Sequence, residues 1–477
     1  MDYEVVIGLE VHAELATRTK IFCGCINRFG GAPNSQCCPV CSGHPGTLPV
    51  LNRQAVDYSV RAGLALNCEI SRFSKFDRKN YYYPDNPKAF QTSQFDFPLC
   101  KNGVLEVEAE GGGVRRVRIN RIHLEEDAGK LVHSASGSGT LADFNRCGVP
   151  LIEIVTEPDM RSPAEALEFL ESLKSILKYS GVSECRMEQG HLRCDVNLSL
   201  RKKGSDVYGT RAEIKNVNSF SAAVRAMHYE IERQTDILNS GGTVEQETRR
   251  WDEASGRSYV MRTKEDAHDY RYFPEPDLVP VVLTEKQIED ARDTLPMLPR
   301  ARAQRYVQEY GLPEYDAKLL TADREVSDFF DSCAAIFADK KMLSNWIMSE
   351  VLKKLKEQPE GEITVPLSPP EFCSLLKMYS AQEISQAAAR EVFEQLWHSG
   401  GSARAIVEER GLLQQSDRGE LLELVKKLIA DNPKPAADYR AGNQKAMAFF
   451  VGQAMKATGG RANHSIVSQL VQQLLSE

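Results

Sequence analysis

Val117-Arg-Ile-Asn-Arg121-Ile-His123-Leu-Glu125-Glu126-Asp127-Ala-Gly-Lys130 carries three consecutive acids out of the end of an alternating apolar segment. A period of two places Val117, Ile119, Arg121, His123, Glu125 and Asp127 on one face and Ile122, Leu124 and Glu126 on the other, so Glu125 and Glu126 point apart. Carboxylates this close raise one another's pKa unless a cation lies between them. Taken alone, the triplet reads more readily as a solvated turn than as a site. Recurrence of the design elsewhere decides against that.

The first recurrence is Tyr3 to Leu15. Val5, Ile7, Leu9, Val11, Ala13 and Leu15 fall on one side; Gly8, Glu10, His12 and Glu14 fall on the other. Glu10 and His12 are spaced as two ligands of one hard cation could be, with Gly8 leaving room beside the backbone. Arg193 to Leu200 sets Arg193, Asp195, Asn197 and Ser199 against Cys194, Val196, Leu198 and Leu200. Arg211, Glu213 and Lys215 share a side, and the more mixed Leu151–Glu157 segment groups Glu153 with Glu157. Half-exposed sheets always alternate; the informative part is the concentration of Glu, Asp, His, Arg and Lys on the polar sides. An open sheet with one apolar face and one ionisable face is a platform for a nucleoside triphosphate and magnesium, acids holding metal and bases holding phosphate.

A chain of 477 residues exceeds one core, and two to four domains are expected. Apolar content of 42% and charged content of 26% describe an ordinary globular protein. The start Met1-Asp2-Tyr3-Glu4 lacks the basic opening of a signal peptide, and no apolar run reaches transmembrane length, so a cytoplasmic protein without a membrane segment is expected. The net charge of -8 argues against a chain coated in nucleic acid. Its C-terminal stretch is nevertheless basic, with Lys434, Arg440, Lys445, Lys456 and Arg461 against only Asp438 and Glu477.

Cys23-Gly-Cys25 and Cys38-Pro-Val-Cys41 are two close thiol pairs on tight turns, spaced to converge on a tetrahedral structural zinc with no open coordination position. Cys37, beside Cys38, competes for the third position, and a set of buried reduced thiols is the plainer alternative. Residues 75–98 interleave Lys75, Arg78, Lys79 and Lys88 with Tyr81, Tyr82, Tyr83, Phe90 and Phe95 among turn residues, either a binding loop or a packed one. A second basic and aromatic region spans 246–278, with Arg249, Arg250, Trp251, Arg257, Tyr259, Arg262, Lys264, Arg271, Tyr272 and Phe273.

Ser162-Pro-Ala-Glu165 opens a helix with a capping box, and Gly181 closes it. A second helix runs from Phe220 to about Leu238, and both are expected to cover the apolar face of the sheet. From Leu295 onward the pattern is helical; Trp346, Ile347, Val351 and Leu352 mark one amphipathic segment and Leu421, Leu422, Val425 and Leu428 another. Strands and helices do not alternate regularly, which gives an α+β fold with an open antiparallel sheet followed by helical domains.

Read together, the runs Val6-Ile-Gly-Leu-Glu-Val-His12, Lys75-Phe-Asp-Arg-Lys-Asn-Tyr81, His123-Leu-Glu-Glu-Asp-Ala-Gly-Lys130, Leu192-Arg-Cys-Asp-Val-Asn197, Glu213-Ile-Lys-Asn-Val-Asn-Ser-Phe220 and Asp269-Tyr-Arg-Tyr-Phe-Pro-Glu-Pro-Asp277 resemble the B subunits of tRNA-dependent amidotransferases. The likeness covers the chain end to end. It implies an ATP-dependent ligase that phosphorylates the side-chain carboxylate of misacylated Glu-tRNA(Gln) or Asp-tRNA(Asn). It also implies an amidase A subunit supplying ammonia from glutamine and a small C subunit bracing the heterotrimer. The implied architecture is a glutamine synthetase/guanido kinase-like catalytic cradle over residues 1–293 with the four-cysteine zinc insertion, a helical domain over 294–404 and a tRNA-contacting helical tail over 405–477. With the face-matching above, it implies Glu10, His12, Glu125 and Glu188 around magnesium, and Arg193, Arg211 and Lys215 on the phosphates of ATP. Lys79, Tyr81 and Lys88 would lie near an ammonia exit gated by Glu125. The absence of a Gly-x-x-x-x-Gly-Lys-Ser/Thr loop and of an amidase serine motif fits this division of labour. Two rivals are a stand-alone ligase amidating a small acid, which would have no use for the helical half, and a zinc-stabilised tRNA-binding scaffold, which would have no use for the acids on the strand faces.

Overall fold

The computed structural model describes residues 2–134, 137, 139–263, 270–358, 363–415, 417–441, 443 and 445–476. Expectations that involve Met1, Lys264, Asp269 and Glu477 lie outside these residues, as does the side chain of Arg262. The chain divides into two compact units, Met1–Arg302 and Ala303–Glu477.

Among the described residues, nine strands of the first unit form one sheet: β1 Tyr3–Glu14, β2 Glu69–Ile70, β3 Cys100–Glu108, β4 Val114–Glu126, β5 Pro150–Thr156, β6 Leu192–Lys202, β7 Ala212–Val217, β8 Glu247–Asp252 and β9 Arg257–Thr263. Their lateral order is β9-β8-β7-β6-β1-β5-β4-β3-β2, which makes β1 central. Its apolar residues Ile7, Leu9, Val11 and Ala13 are buried in one core with Cys194, Val196 and Leu198 of β6, so both strands alternate as the sequence pattern demands. The sheet is antiparallel except for β7 and β8, which run parallel. This corrects the expectation of an antiparallel sheet throughout. A parallel pair needs a crossover element, and the helix Phe220–Asn239 lies between the two strands in the chain.

Three helices pack on the apolar face: α1 Arg53–Ala65, α2 Pro163–Tyr179 and α3 Phe220–Asn239. The helix α1, begun by Asn52 accepting from Gln54 N, is an addition to the sequence reading. Ser162 caps α2 by accepting from Glu165 N. The return bond of the expected capping box goes one residue upstream, from Arg161 N to Glu165 Oε2 at 2.8 Å.

β4 departs from simple alternation. Val117 and Ile119 are core residues, and so are Ile122 and Leu124, so the phase slips by one between them. The register to β5 shifts between Val155 and Thr156, with Asn120 as the extra residue. β3 slips at the same level, through Asn102 at φ 53°. A bulge of this kind transfers every later side chain to the opposite face. Val117 and Ile119 therefore do not share a face with His123 and Glu125, as strict period two required.

Three further expectations change. Gly8 is buried against Pro158, whose Cα would lie 3.6 Å from an added Cβ, so the space beside it is already filled. Segment 75–98 is not a mere loop: Asp77–Asn80 pairs with Phe90–Ser93 and with Phe273–Pro274 in a small sheet. In the 246–278 region, Arg249 is buried against Glu247, 2.5 Å away, and Ser258, and Trp251 belongs to the core. Those two residues are packed into the fold.

The second unit is helical. One core gathers Phe329, Phe330, Phe372 and Phe393; a separate one gathers Leu421, Val425, Ala436, Phe450, Val467 and Leu470 from the last four helices. Trp346, Ile347 and Val351 lie on a continuous helical stretch interrupted by one π turn over Ile347–Val351. Among the described residues no helix is long and apolar enough to cross a membrane.

Candidate active site on the polar face of the sheet

His12 of β1, Glu153 of β5 and His123 of β4 stand abreast on three neighbouring strands. His12 Nε2 lies 3.3 Å from Glu153 Oε2 and 3.7 Å from Glu125 Oε1. His123 Nε2 lies 3.3 Å from the same Glu153 oxygen and 3.5 Å from Glu125 Oε2. Two imidazoles thus bracket two carboxylates. Ser93 Oγ donates to Glu125 Oε2 at 3.1 Å from the small sheet above. Burial alone would raise the Glu125 carboxyl, but hydrogen bonding from His123 and the charges of the two histidines hold it low. Glu153 is held well below the carboxylate range against the same burial, by His123 and His12. In return, and also against burial, Glu153 and Glu125 push His123 up to about 9.

A second acidic group adjoins the first. Glu10 pairs in register with Asp195, and Glu213 of β7 completes a set whose carboxylate oxygens lie within 4.8 Å of one another. Asn197 Nδ2 donates to Glu10 Oε1 at 2.9 Å. Lys215 Nζ bridges Asp195 and Glu213, the latter at 2.9 Å, and Thr248 Oγ1 donates to Glu213 at 2.7 Å. Burial first, and the charge of Glu153 second, raise the Glu10 carboxyl. Further along β6, Arg193 Nη2 holds Asp127 Oδ2 at 2.7 Å, with Arg146 Nε 3.3 Å from the same oxygen.

The expected site residues divide accordingly. His12 and Glu125 come together in the first group. Glu10 belongs to the second, joined by Lys215, while Arg193 borders the first through its register pairing with His12. Lys79 faces the first group: burial opposes its charge, but the Glu125 carboxylate raises its pKa, and its Nζ sits 5.0 Å above the Tyr270 ring. Tyr81 packs edge-on against that same ring. Lys88 does not join Glu125. It pairs with Glu126, which points the other way, in a cleft of about 300 Å³ also lined by Phe22, Phe90 and Arg78. Arg211 precedes β7 and is exposed. Glu188 is exposed on the single turn Met187–Gln189, outside both acidic groups, because the chain leaves the sheet before it reaches that residue.

The residues that the sequence reading left out of the site are Glu153, His123, Asp195, Glu213 and Ser93. Each of the first four has the right parity on its strand; what was missing was which strands are neighbours.

Both groups suit a divalent cation by their chemistry. The three carboxylates Glu10, Asp195 and Glu213 are an all-oxygen set of the kind magnesium takes. His12, Glu125 and Glu153 add a nitrogen and have one atom each within 4.8 Å of the others. The sulfurs of Cys23, Cys25, Cys38 and Cys41 also lie within 4.8 Å of one another, close to the separation of about 3.8 Å that a tetrahedral zinc site requires. Cys37 Sγ turns away to the Asn34 carbonyl at 3.3 Å, so Cys38 occupies the third position.

Two family models match the chain, one described as the GatB/GatE catalytic domain over residues 5–289 and one as the GatB domain over residues 328–475. The B subunit of the aspartyl/glutamyl-tRNA(Asn/Gln) amidotransferase of Caldicellulosiruptor saccharolyticus is 53% identical over 480 residues, covering 100% of both chains. That of Caldanaerobacter subterraneus is 54% identical over 477 residues, again covering 100% of both. That of Brevibacillus brevis is 52% identical over 474 residues, covering 99% of both.

Proposed function

The chain belongs to the family of aspartyl/glutamyl-tRNA(Asn/Gln) amidotransferase B subunits, and from that premise we propose how the polar face of its sheet carries out the ATP-dependent step. The side-chain carboxylate of a glutamyl or aspartyl group esterified to tRNA attacks the γ-phosphorus of ATP. An oxygen–phosphorus bond forms, the bond to ADP breaks, and an acyl phosphate results. Ammonia then adds to the acyl carbon and phosphate leaves, giving the amide. A carboxylate is a poor electrophile; the phosphoryl group supplies its leaving group.

Glu10, Asp195 and Glu213, with His12, Glu125 and Glu153 beside them, would hold magnesium. Bound there, the metal neutralises phosphate oxygens. Lys215 and Arg193 orient phosphates from the strands flanking these acids, and exposed Arg211 adds charge at the rim. Lys79, above Glu125, lines the approach for ammonia and keeps its own charge there, which disfavours entry as ammonium. Lys88 and Glu126 line the neighbouring cleft.

The finer architecture is part of this reading. The nine-stranded sheet with helices on one face supports a glutamine synthetase/guanido kinase-like cradle. The three separate cores support a division into three parts, read from the sequence as 1–293, 294–404 and 405–477; Leu295 and Leu298 pack with the first core and Ile406 and Val407 with the second, so each boundary falls a few residues later, and the basic tail contacts tRNA. Structural zinc fills the four-cysteine set, an amidase A subunit and a small C subunit complete the enzyme, and the location is cytoplasmic.

The observation that carries the proposal is the meeting of His12, Glu125 and Glu153 from three strands beside Glu10, Asp195 and Glu213. The test is co-expression with candidate glutaminase partners, followed by ATP hydrolysis and amide formation with and without misacylated tRNA. Turnover that depends on the charged tRNA is expected; an intact complex without it would sink the assignment.

A further inference from the structure

Beyond the acids, the polar face continues in a row that the ATP-dependent step does not by itself explain. Glu10 pairs with Asp195. Asp195 is bridged by Lys215, which lies opposite it where the β6–β7 register shifts. Lys215 pairs with Arg250 on β8, and Arg250 with Tyr259 on β9. Paired residues on adjacent strands project to the same face. One line across five strands therefore reads acid, acid, lysine, arginine, tyrosine, over four strand spacings of about 4.8 Å each.

The far end of that row is open. Arg250 is exposed and makes no salt bridge among the described residues, while Tyr259 is 50% exposed on an edge strand. The alternate residues of β8 and β9 face the other way: Arg249 and Trp251 are buried, and Ser258 bonds Arg249. The row is thus a solvent-facing strip with its own backing and not a frayed edge. The Tyr259 ring is held by a hydrogen bond of its hydroxyl to Ser255 Oγ at 3.3 Å, which fixes where its face lies.

We propose that this row is the nucleotide track of the site: the triphosphate of ATP lies from the Glu10–Asp195–Glu213 acids over Lys215 to Arg250, and the adenine base stacks on Tyr259. The proposal rests on the reading of the acids as the magnesium–ATP site and adds to it the direction of the nucleotide and the residue that reads its base. The order of chemistry along the row, metal-binding acids, then two cations, then an aromatic plane, is the order of chemistry along a magnesium-bound nucleoside triphosphate. Guanidinium suits phosphate through its planar donors, and base–aromatic stacking accepts any base, so Tyr259 supplies affinity more than selectivity.

The experiment measures equilibrium binding of MgATP, inorganic tripolyphosphate and a short RNA ending in adenosine to the full chain in its complex, for wild type, Tyr259→Ala, Tyr259→Trp and Arg250→Gln. Tyr259→Ala is expected to weaken MgATP about tenfold and leave tripolyphosphate unchanged, and Tyr259→Trp to restore MgATP. Arg250→Gln is expected to weaken both phosphate ligands by about the same factor. Unchanged MgATP binding in Tyr259→Ala and Arg250→Gln would overturn the track. So would loss confined to the RNA, which would place the terminal adenosine of the tRNA on Tyr259. Failure of the underlying reading looks different: Glu213→Gln would then leave wild-type MgATP affinity untouched.

Discussion

Glu153 Oε2 lies 3.3 Å from His12 Nε2 and 3.3 Å from His123 Nε2, so one carboxylate oxygen on β5 is shared by imidazoles on the strands to either side. Among the described residues, no other side chain of the first acidic group touches residues from both neighbours of its own strand in this way. Glu153 is the point on which that group closes.

Glu153→Gln keeps the shape and removes the charge. It is expected to lower tRNA-dependent ATP turnover roughly 100-fold and to raise the magnesium concentration needed for half-maximal rate. A steady-state assay over a magnesium series checks both. Unaltered turnover would remove Glu153 from the site.

The thiol geometry separates two adjacent cysteines. Cys38→Ser is expected to abolish zinc binding and lower the melting temperature, because a structural metal contributes directly to folding. Cys37→Ser is expected to keep one zinc per chain and its melting temperature, since its sulfur points to the Asn34 carbonyl. Elemental analysis alongside thermal melts distinguishes the outcomes.

Asp159 is gripped by Arg118 through two side-chain bonds, at 2.8 and 2.7 Å, and by the Arg118 amide at 3.0 Å. Burial works against its charge, but these bonds lower its pKa in the fold. A carboxyl lowered on folding adds stability that is full above its unfolded value of 3.8 and is lost as pH falls through the folded value. The melting temperature of Asp159→Asn should therefore lie below that of wild type at pH 6, with the gap narrowing as pH falls below 3.8. A constant gap across that range would exclude the linkage.

Two glycines make opposite forecasts. A Cβ on Gly8 would meet Pro158 at ordinary contact distance, 3.6 Å, whereas one on Gly63 would come within 2.4 Å of Cys100 Sγ. Gly8→Ala is expected to change unfolding free energy by less than about 0.5 kcal/mol and to leave ATP binding intact. Gly63→Ala is expected to cost about 1–3 kcal/mol through overpacking between α1 and β3. Urea titration of both variants decides.

The central strands were legible because burial on one face writes a period of two into sequence, as in Ile7, Leu9, Val11 and Ala13. The helix α2 was legible from its cap Ser162 and from Gly181 after it, and α3 from the helical spacing of Phe220, Val224, Met227 and Ile231. The ligand groupings were not, because parity tells which face a residue takes but not which strand lies next to which. Glu10 and Glu125 both take the polar face yet belong to different groups: Glu10 meets Asp195 and Glu213 on the β6–β7 side of β1, while His12, two residues on, meets Glu153 and Glu125 on the β5–β4 side. Arg249 entered the basic and aromatic region by composition alone; its burial against Glu230, Glu247 and Ser258 depends on α3 crossing over between β7 and β8.

Asn120 and Asn102 have a consequence for which changes of length this hairpin tolerates. Each side of the slip is in frame with a different part of the molecule: Val117 and Ile119 with the core at one end, His123 and Glu125 with the reacting face at the other. Deleting Asn120 alone would leave Val117, Ile119, Ile122 and Leu124 alternating on the core face and His123 and Glu125 opposite them, but it would leave Asn102 without a counterpart and put the β3–β4 pairing out of register on one side of the gap. The hairpin thus has a reading frame, and only paired deletions, one from each strand, preserve its sense.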